Sequence, residues 1–214
     1  MILHLAEYLD VPLRERNDLL IAAGFAPRFK ERPLCDPALE AARSAVDLIL
    51  KGLEPYPALA VDRHWHLLAS NQATLRLLAG VSAALLQPPV NVLRLSLHPE
   101  GLAPRIRNLP EWRAHLLDRL RRQIDASSDP HLIALQQELR ALYAPDSPAH
   151  VGDHPAASIA VPLQLEVDGT VLCLFSTTTV FGTPVDITLA ELALEAFVPA
   201  DAATAERLHE LALR

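Results

Sequence analysis

The chain has 214 residues, with 19 Lys and Arg against 26 Asp and Glu, so it is one generous domain or one domain with an appended fragment. Half the residues are hydrophobic and 21% are charged, which excludes intrinsic disorder, and the net charge of −7 excludes a nucleic-acid binder working by bulk charge. Two cysteines (Cys35, Cys173), no opening signal-peptide pattern and no stretch near 18 uncharged apolar residues predict a cytoplasmic chain that neither spans a membrane nor relies on disulfides.

The first 25 residues read as two short helices. Leu5, Tyr8 and Leu9 share a face of the first; Pro12 opens the second, Leu13, Leu20 and Ala23 line one side of it, and Gly24 follows as a C-terminal cap. So small a hairpin needs a partner to bury its apolar face. Residues 26–35 read as a linker. Asp36-Pro37 is a helix start, followed by an apolar stripe of Leu39, Ala42, Val46, Ile49 and Leu53, with Gly52 near the end and Pro55 and Pro57 forbidding continuation.

The period then changes. Residues 58–61 and 65–69 predict two strands around an Asp62-Arg63 turn, and Ser70-Asn71 caps a helix running to Leu78. A short apolar helix follows over 91–97, then a turn at His98-Pro99-Glu100-Gly101. A longer helix over 110–126 carries Trp112, Leu116, Leu120 and Ile124 on one face. Asp129-Pro130 starts another, with Leu132, Leu135, Leu139 and Leu142 inward. Residues 144–157 are Pro-rich and aperiodic, a loop.

The last third alternates. Ile159, Val161, Leu163, Leu165 and Val167 lead into Asp168-Gly169, a strong hairpin signal, and a Thr- and Phe-rich strand returns over 171–180. Residues 186–198 read as a third strand of this group, with a register shift between Leu189 and Leu192 that suggests a bulge. A helix over 201–213 closes the chain. The order predicts an α+β fold, one five-stranded antiparallel sheet with helices gathered on one face and a pocket between the two layers.

The seven glycines form no phosphate-cradling loop, and G-x-S-x-G, H-E-x-x-H and C-x-x-C are absent, so no motif supports a catalytic or metal assignment. Of nine histidines, His64 and His66 flank Trp65, and His150 and His154 bracket a loop. Without Cys or carboxylate at ligand spacing they read as solvated polar residues. Glu191 and Glu195 read as the solvent face of an alternating strand. Six arginines fall within 105–122. Arg119, Arg121 and Arg122 suit solubility, DNA or a partner subunit, whereas Arg105 lies beside the 98–101 turn, where a pocket mouth would meet an anion. Asn91, Arg94 and His98 fall at i, i+3 and i+7 on an otherwise apolar helix, either an exposed face or the polar end of a buried site. From chemistry alone, Asn91, Arg94, His98 and Arg105 are the candidate head-group contacts and Trp112 the candidate apolar contact of a small-molecule site.

Three stretches carry a resemblance: YPALAVDRHWHLLASNQATLRLL (56–78), VNVLRLSLHPEGLAPRIRNLPEWRAHLLDRLRRQ (90–123) and FSTTTVFGTPVDITLAELALEAFVPAD (175–201). They resemble the MmyB-like ligand-binding domain of bacterial XRE-type helix-turn-helix regulators, over about residues 36–210. The segment HLAEYLDVPLRERNDLLIAAGFAPRF (4–29) resembles the final helices of the XRE DNA-binding domain that precedes the sensor in that family. The resemblance implies residues 1–29 as the end of a helix-turn-helix unit, 30–35 as linker, and 36–214 as a PAS-like ligand-binding and dimerisation domain. The DNA-reading helix of that unit precedes residue 4 in the family, so the chain as given is expected to bind DNA only through a complete unit. The implied function is a transcriptional sensor without catalytic activity or resident cofactor, binding a small apolar or fatty acid-like ligand as a homodimer. The stripe within 36–53 and the hairpin over 2–24 are candidate dimer surfaces. A ligand-free dimerisation module is the alternative; an enzyme has only scattered His and Glu behind it.

Overall fold

The computed structural model describes residues 1–143 and 161–213; the expected loop at 144–157 and Ile159 lie outside the described residues. Two short helices, α1 (Ile2–Tyr8) and α2 (Leu13–Ala22), open the chain. Pro12 is the residue before α2, and Gly24 takes the left-handed conformation expected past its end. The buried contacts of this hairpin are Ala6, Asn17 and Leu20, while Leu5, Tyr8 and Leu9 face outward. Asn17 fixes the chain beyond α2. Its side chain accepts from the Arg28 and Phe29 amides at 2.9 and 3.0 Å and donates to the Phe29 carbonyl at 2.8 Å.

Asp36 caps a 3-10 turn that runs into α3 (Glu40–Gly52). Its buried stripe is Leu39, Val46 and Leu50; Ile49 is exposed, because Leu50 takes the inward position one residue on. The hairpin of β1 (Ala58–Val61) and β2 (Leu67–Ser70) follows, then α4 (Gln72–Leu77), whose Asn71 cap accepts from the Thr74 amide. The helical block comprises α5 (Val92–Leu97), α6 (Leu109–Ser127) and α7 (Pro130–Ala141). Gly101 is required between α5 and α6: a Cβ there would lie 2.3 Å from the Leu95 carbonyl oxygen.

Strands β3 (Leu163–Val167) and β4 (Thr170–Val180) meet at Asp168-Gly169, both with positive φ. The expected strand over 186–198 is divided. Residues Ile187–Ala190 form a helical turn, α8, and the strand proper, β5, is Ala193–Pro199. What reads as a bulge is this turn, set by Asp186, which is buried, accepts from the Thr188 amide and binds Arg32 at 2.8 Å. The linker is thereby tied down: the Ile187 amide donates to the Lys30 carbonyl, and Thr188 Oγ1 to the Arg32 carbonyl. Helix α9 (Ala202–Ala212) ends the fold.

The five strands are antiparallel in the order β2-β1-β5-β4-β3. One face carries Leu59, Val61, Leu163, Leu165, Leu172, Leu174 and Phe197, and packs against α4–α7 in the main core. On the opposite face, α3 places Val46 and Leu50 over Ala58, Ala60, Leu194 and Ala196 as a smaller cluster. The small residues let a helix lie close where β1 and β5 are covered on both sides. This is the expected α+β arrangement of one five-stranded antiparallel sheet with a helical layer, except that helices are not confined to one face: α3 covers the other.

Candidate functional site

The candidate site arises from a mismatch between the layers. The sheet and the α4–α7 layer do not close fully; they leave a cavity of about 90 Å³. Its walls are Leu59, Leu67, Leu163, Leu165 and Phe197 from the sheet, with Leu77, Leu93 and Leu116 from the helices. Both tryptophans of the chain, Trp65 and Trp112, line it. The volume is below the ~150 Å³ of an engineered cavity that accepts benzene, so a whole acyl chain enters only if the helical layer gives way.

The polar groups at the wall are already satisfied. Ser96 Oγ accepts from Trp112 Nε1 at 2.9 Å, and Thr74 Oγ1 donates to the Ala58 carbonyl at 2.9 Å. At one end Glu195, buried on β5, accepts from both terminal nitrogens of Arg119 and from the hydroxyls of Ser176 and Thr178, the hydroxyls each at 2.9 Å. The Arg119 guanidinium lies 4.6 Å above the Trp65 ring centroid. Arg119 is the one cation lining the cavity among the described residues, and its charge is spent on Glu195.

Trp65 leads out of the cavity. Its backbone has φ +67°, unusual for a bulky residue. Its Nε1 donates to Gln123 Oε1 at 2.9 Å, and Gln123 Nε2 donates to the Arg63 carbonyl at 2.8 Å. Arg63 turns away to Asp129 and, at 3.4 Å, to Glu191. Glu191 ends α8 and receives both Nε and Nη2 of Arg14 on α2, at 2.7 and 2.9 Å; Arg14 also binds Glu31. Hydrogen bonds to Glu191 and then Glu31 hold the Arg14 guanidinium far above its ordinary pKa. Asp129 is the buried anchor. Burial opposes its charge, yet bonds from His64, Arg63 and the His131 amide hold its carboxyl far below the usual range.

Of the five residues expected at a site, Trp112 lines the cavity and the other four do other work. Asn91 caps α5, accepting from the Leu93 and Arg94 amides, and donates to the His64 carbonyl at 2.9 Å. Arg94 forms a two-pronged, half-exposed pair with Glu138 of α7, at 2.6 and 2.7 Å. His98 Nδ1 accepts from the Glu100 amide within the turn. Arg105 binds the carbonyls of Leu77, Ala79 and Glu166, tying α4 to β3. The expected Asn91–Arg94–His98 stripe is not formed, because α5 ends before His98 and starts after Asn91, and the three residues make three separate structural contacts.

Arg119, Glu195 and Trp65 were not among the five. Glu195 reads as solvent-facing because carboxylates usually mark the open face of an alternating strand; in β5 it shares the helix-side face with Ala193 and Phe197, where Arg119 meets it. Arg119 lies three residues after Leu116, beside the inward stripe of α6. Glu191 is not on a strand at all.

A sheet and a helical layer enclosing an apolar chamber form the plan of a ligand-binding domain. The family model for the MmyB-like transcription regulator ligand binding domain matches residues 42–211, and the chain belongs to this family. No curated protein matches it. Among solved structures, the PAS domain from Bordetella pertussis BvgS is similar at 17% identity over 80% of this chain and 97% of that one, with a TM-score of 0.32. No helix among the described residues is long and apolar enough to cross a membrane.

Proposed function

We propose that this domain is the sensor of a cytoplasmic XRE-type transcriptional regulator: a small apolar molecule enters the cavity, and its binding biases the N-terminal helices. The observation that carries the reading is the apolar chamber flanked by two indoles. Among the described residues nothing free at its wall attracts a carboxylate, because the Arg119 guanidinium is bound by Glu195. The ligand chemistry that fits best is therefore uncharged and apolar; a fatty acid-like molecule would insert its chain and leave its acid group outside. Occupancy presses on Trp65, and the path through Gln123, Arg63, Glu191 and Arg14 reaches α2. The signal requires different ligand affinities for two arrangements of that junction. The homodimer and the DNA contact belong to this reading, the latter through a complete helix-turn-helix unit.

Native mass spectrometry of the purified chain, with organic extraction, tests it. An adduct that is extracted as an apolar molecule is the expected result. A chain that carries nothing, and whose melting temperature ignores apolar alcohols and acids alike, sinks it. The second reading, a ligand-free dimerisation module, is favoured by the small cavity volume and would then stand.

A further inference from the structure

On the outer side of the β1–β2 turn, Asp62, His64 and His66 each offer a ligand atom, and all three atoms lie within 4.8 Å of one another. We infer that this triplet is a binding site for a divalent transition metal of the zinc class, independent of the apolar cavity. The donor set of two imidazoles and one carboxylate, with a position left for water, suits such an ion better than calcium or magnesium, which take oxygen ligands.

The turn is organised for this before any ion arrives. Asp62 Oδ1 accepts from the His64 and His66 amides, both at 2.8 Å, which fixes the carboxyl group and leaves Oδ2 to face the His66 ring. His66 Nδ1 and Asp62 Oδ2 are 3.0 Å apart. Tetrahedral ligands about 2.0–2.1 Å from zinc sit roughly 3.3 Å from each other, so the ion replaces the proton shared by Asp62 and His66 with little movement, while His64, within 4.8 Å of both, swings inward to complete the site. His64 is held from behind: its Nε2 is 3.0 Å from Asp129 Oδ2, the carboxylate–histidine pairing that orients a metal-bound imidazole and leaves Nδ1 for the ion. The His131 ring lies 5.1 Å from that of His64. The adjacent Arg63 does not compete, being turned to Asp129 and Glu191. All three side chains are a quarter to a third exposed, open enough for exchange with solvent.

The test uses the full chain, freed of metal by chelation and titrated with Co²⁺, with the visible absorption of tetrahedral cobalt as the readout. The expected result is saturation at one equivalent, reversal by Zn²⁺, and loss of the band in His64→Gln/His66→Gln. Asp62→Asn keeps the Oδ1 acceptor, so it tests the ligand role without unmaking the turn. Asp129→Asn should weaken binding about tenfold, the effect of removing a supporting carboxylate. His4→Gln/His209→Gln should change nothing, and circular dichroism confirms folding of each variant. The proposal is overturned if cobalt fails to saturate through the millimolar range. It is equally overturned if the His64/His66 double variant binds like the parent, or if the His4/His209 control loses the signal.

Discussion

The cavity and the junction beneath the N-terminal helices meet at Trp65 and are built from opposite chemistry. The cavity end turns on one buried carboxylate, Glu195, although its partner Arg119 is about a quarter exposed. Its ion pair, Arg119–Glu195, has a nearly buried carboxylate with four donors and no water needed. The junction is wetter and redundant: Arg14 has two carboxylate partners, Glu191 has two arginines, and most of these side chains are a fifth to a half exposed. In low dielectric a single deletion strands a charge, whereas a screened network loses one contact and keeps the rest. The first region is therefore suited to a fixed shape and the second to rearrangement. That division is what a sensor requires, and each half of it can be broken separately.

The largest effect should come from Arg119→Met. Stripping the partner from buried Glu195 is expected to cost about 3 kcal/mol in urea unfolding, and Arg119→Met/Glu195→Leu should recover most of it. If the single variant costs nothing, Glu195 is not held as a buried charge. At the junction, Arg14→Ala should cost about 1 kcal/mol. Its mark should be local, faster amide exchange over residues 2–34 with the sheet still protected. Uniform loss of protection would contradict the separation of the two regions.

A pH series sharpens the contrast. The folded-state pKa of Asp129 is lowered, so its stabilising contribution is complete above the ordinary value near 3.8 and is lost as pH falls through the folded value. Asp129→Asn should therefore lose less stability than the parent between about pH 5 and pH 2. Equal slopes in the two proteins would remove Asp129 as the anchor. The smallest effect is expected at Arg94→Ala. An exposed pair with Glu138 contributes at most about 1 kcal/mol, less in high salt, and ligand binding should be unchanged because Arg94 does not reach the cavity.

Elements with local signals were legible in the chain. Asp36, Asn71 and Asp129 each cap a helix by accepting a backbone amide two or three residues on, and Asp168-Gly169 sets its turn through its own backbone; Asn91, expected at a ligand site, and Asp201 prove to be caps of the same kind. The features that escaped depend on distant partners. The α8 turn needs Arg32, 154 residues away from Asp186, and Glu195 is inward because Arg119, 76 residues away, meets it there. The spacing of Asn91, Arg94 and His98 suggests one helical stripe, but only Arg94 lies within α5, with Asn91 and His98 as its extended caps. Their use is not visible in that spacing, since Glu138 on α7 takes Arg94 and the turn takes His98. Trp112, large and on a clean helical stripe, was the cavity residue the pattern did disclose.

The proposed ligand is an uncharged apolar molecule, and the two tryptophans of the chain both line the cavity that would hold it. Intrinsic fluorescence, titrated with a medium-chain alcohol and with the acid of equal length, reads the claim directly. The expected result is a saturable change that the alcohol produces at lower concentration than the acid and that Val92→Phe, a bulkier side chain at a residue lining the chamber, suppresses. Emission that stays flat with both, or drifts without saturating and ignores Val92→Phe, would contradict it.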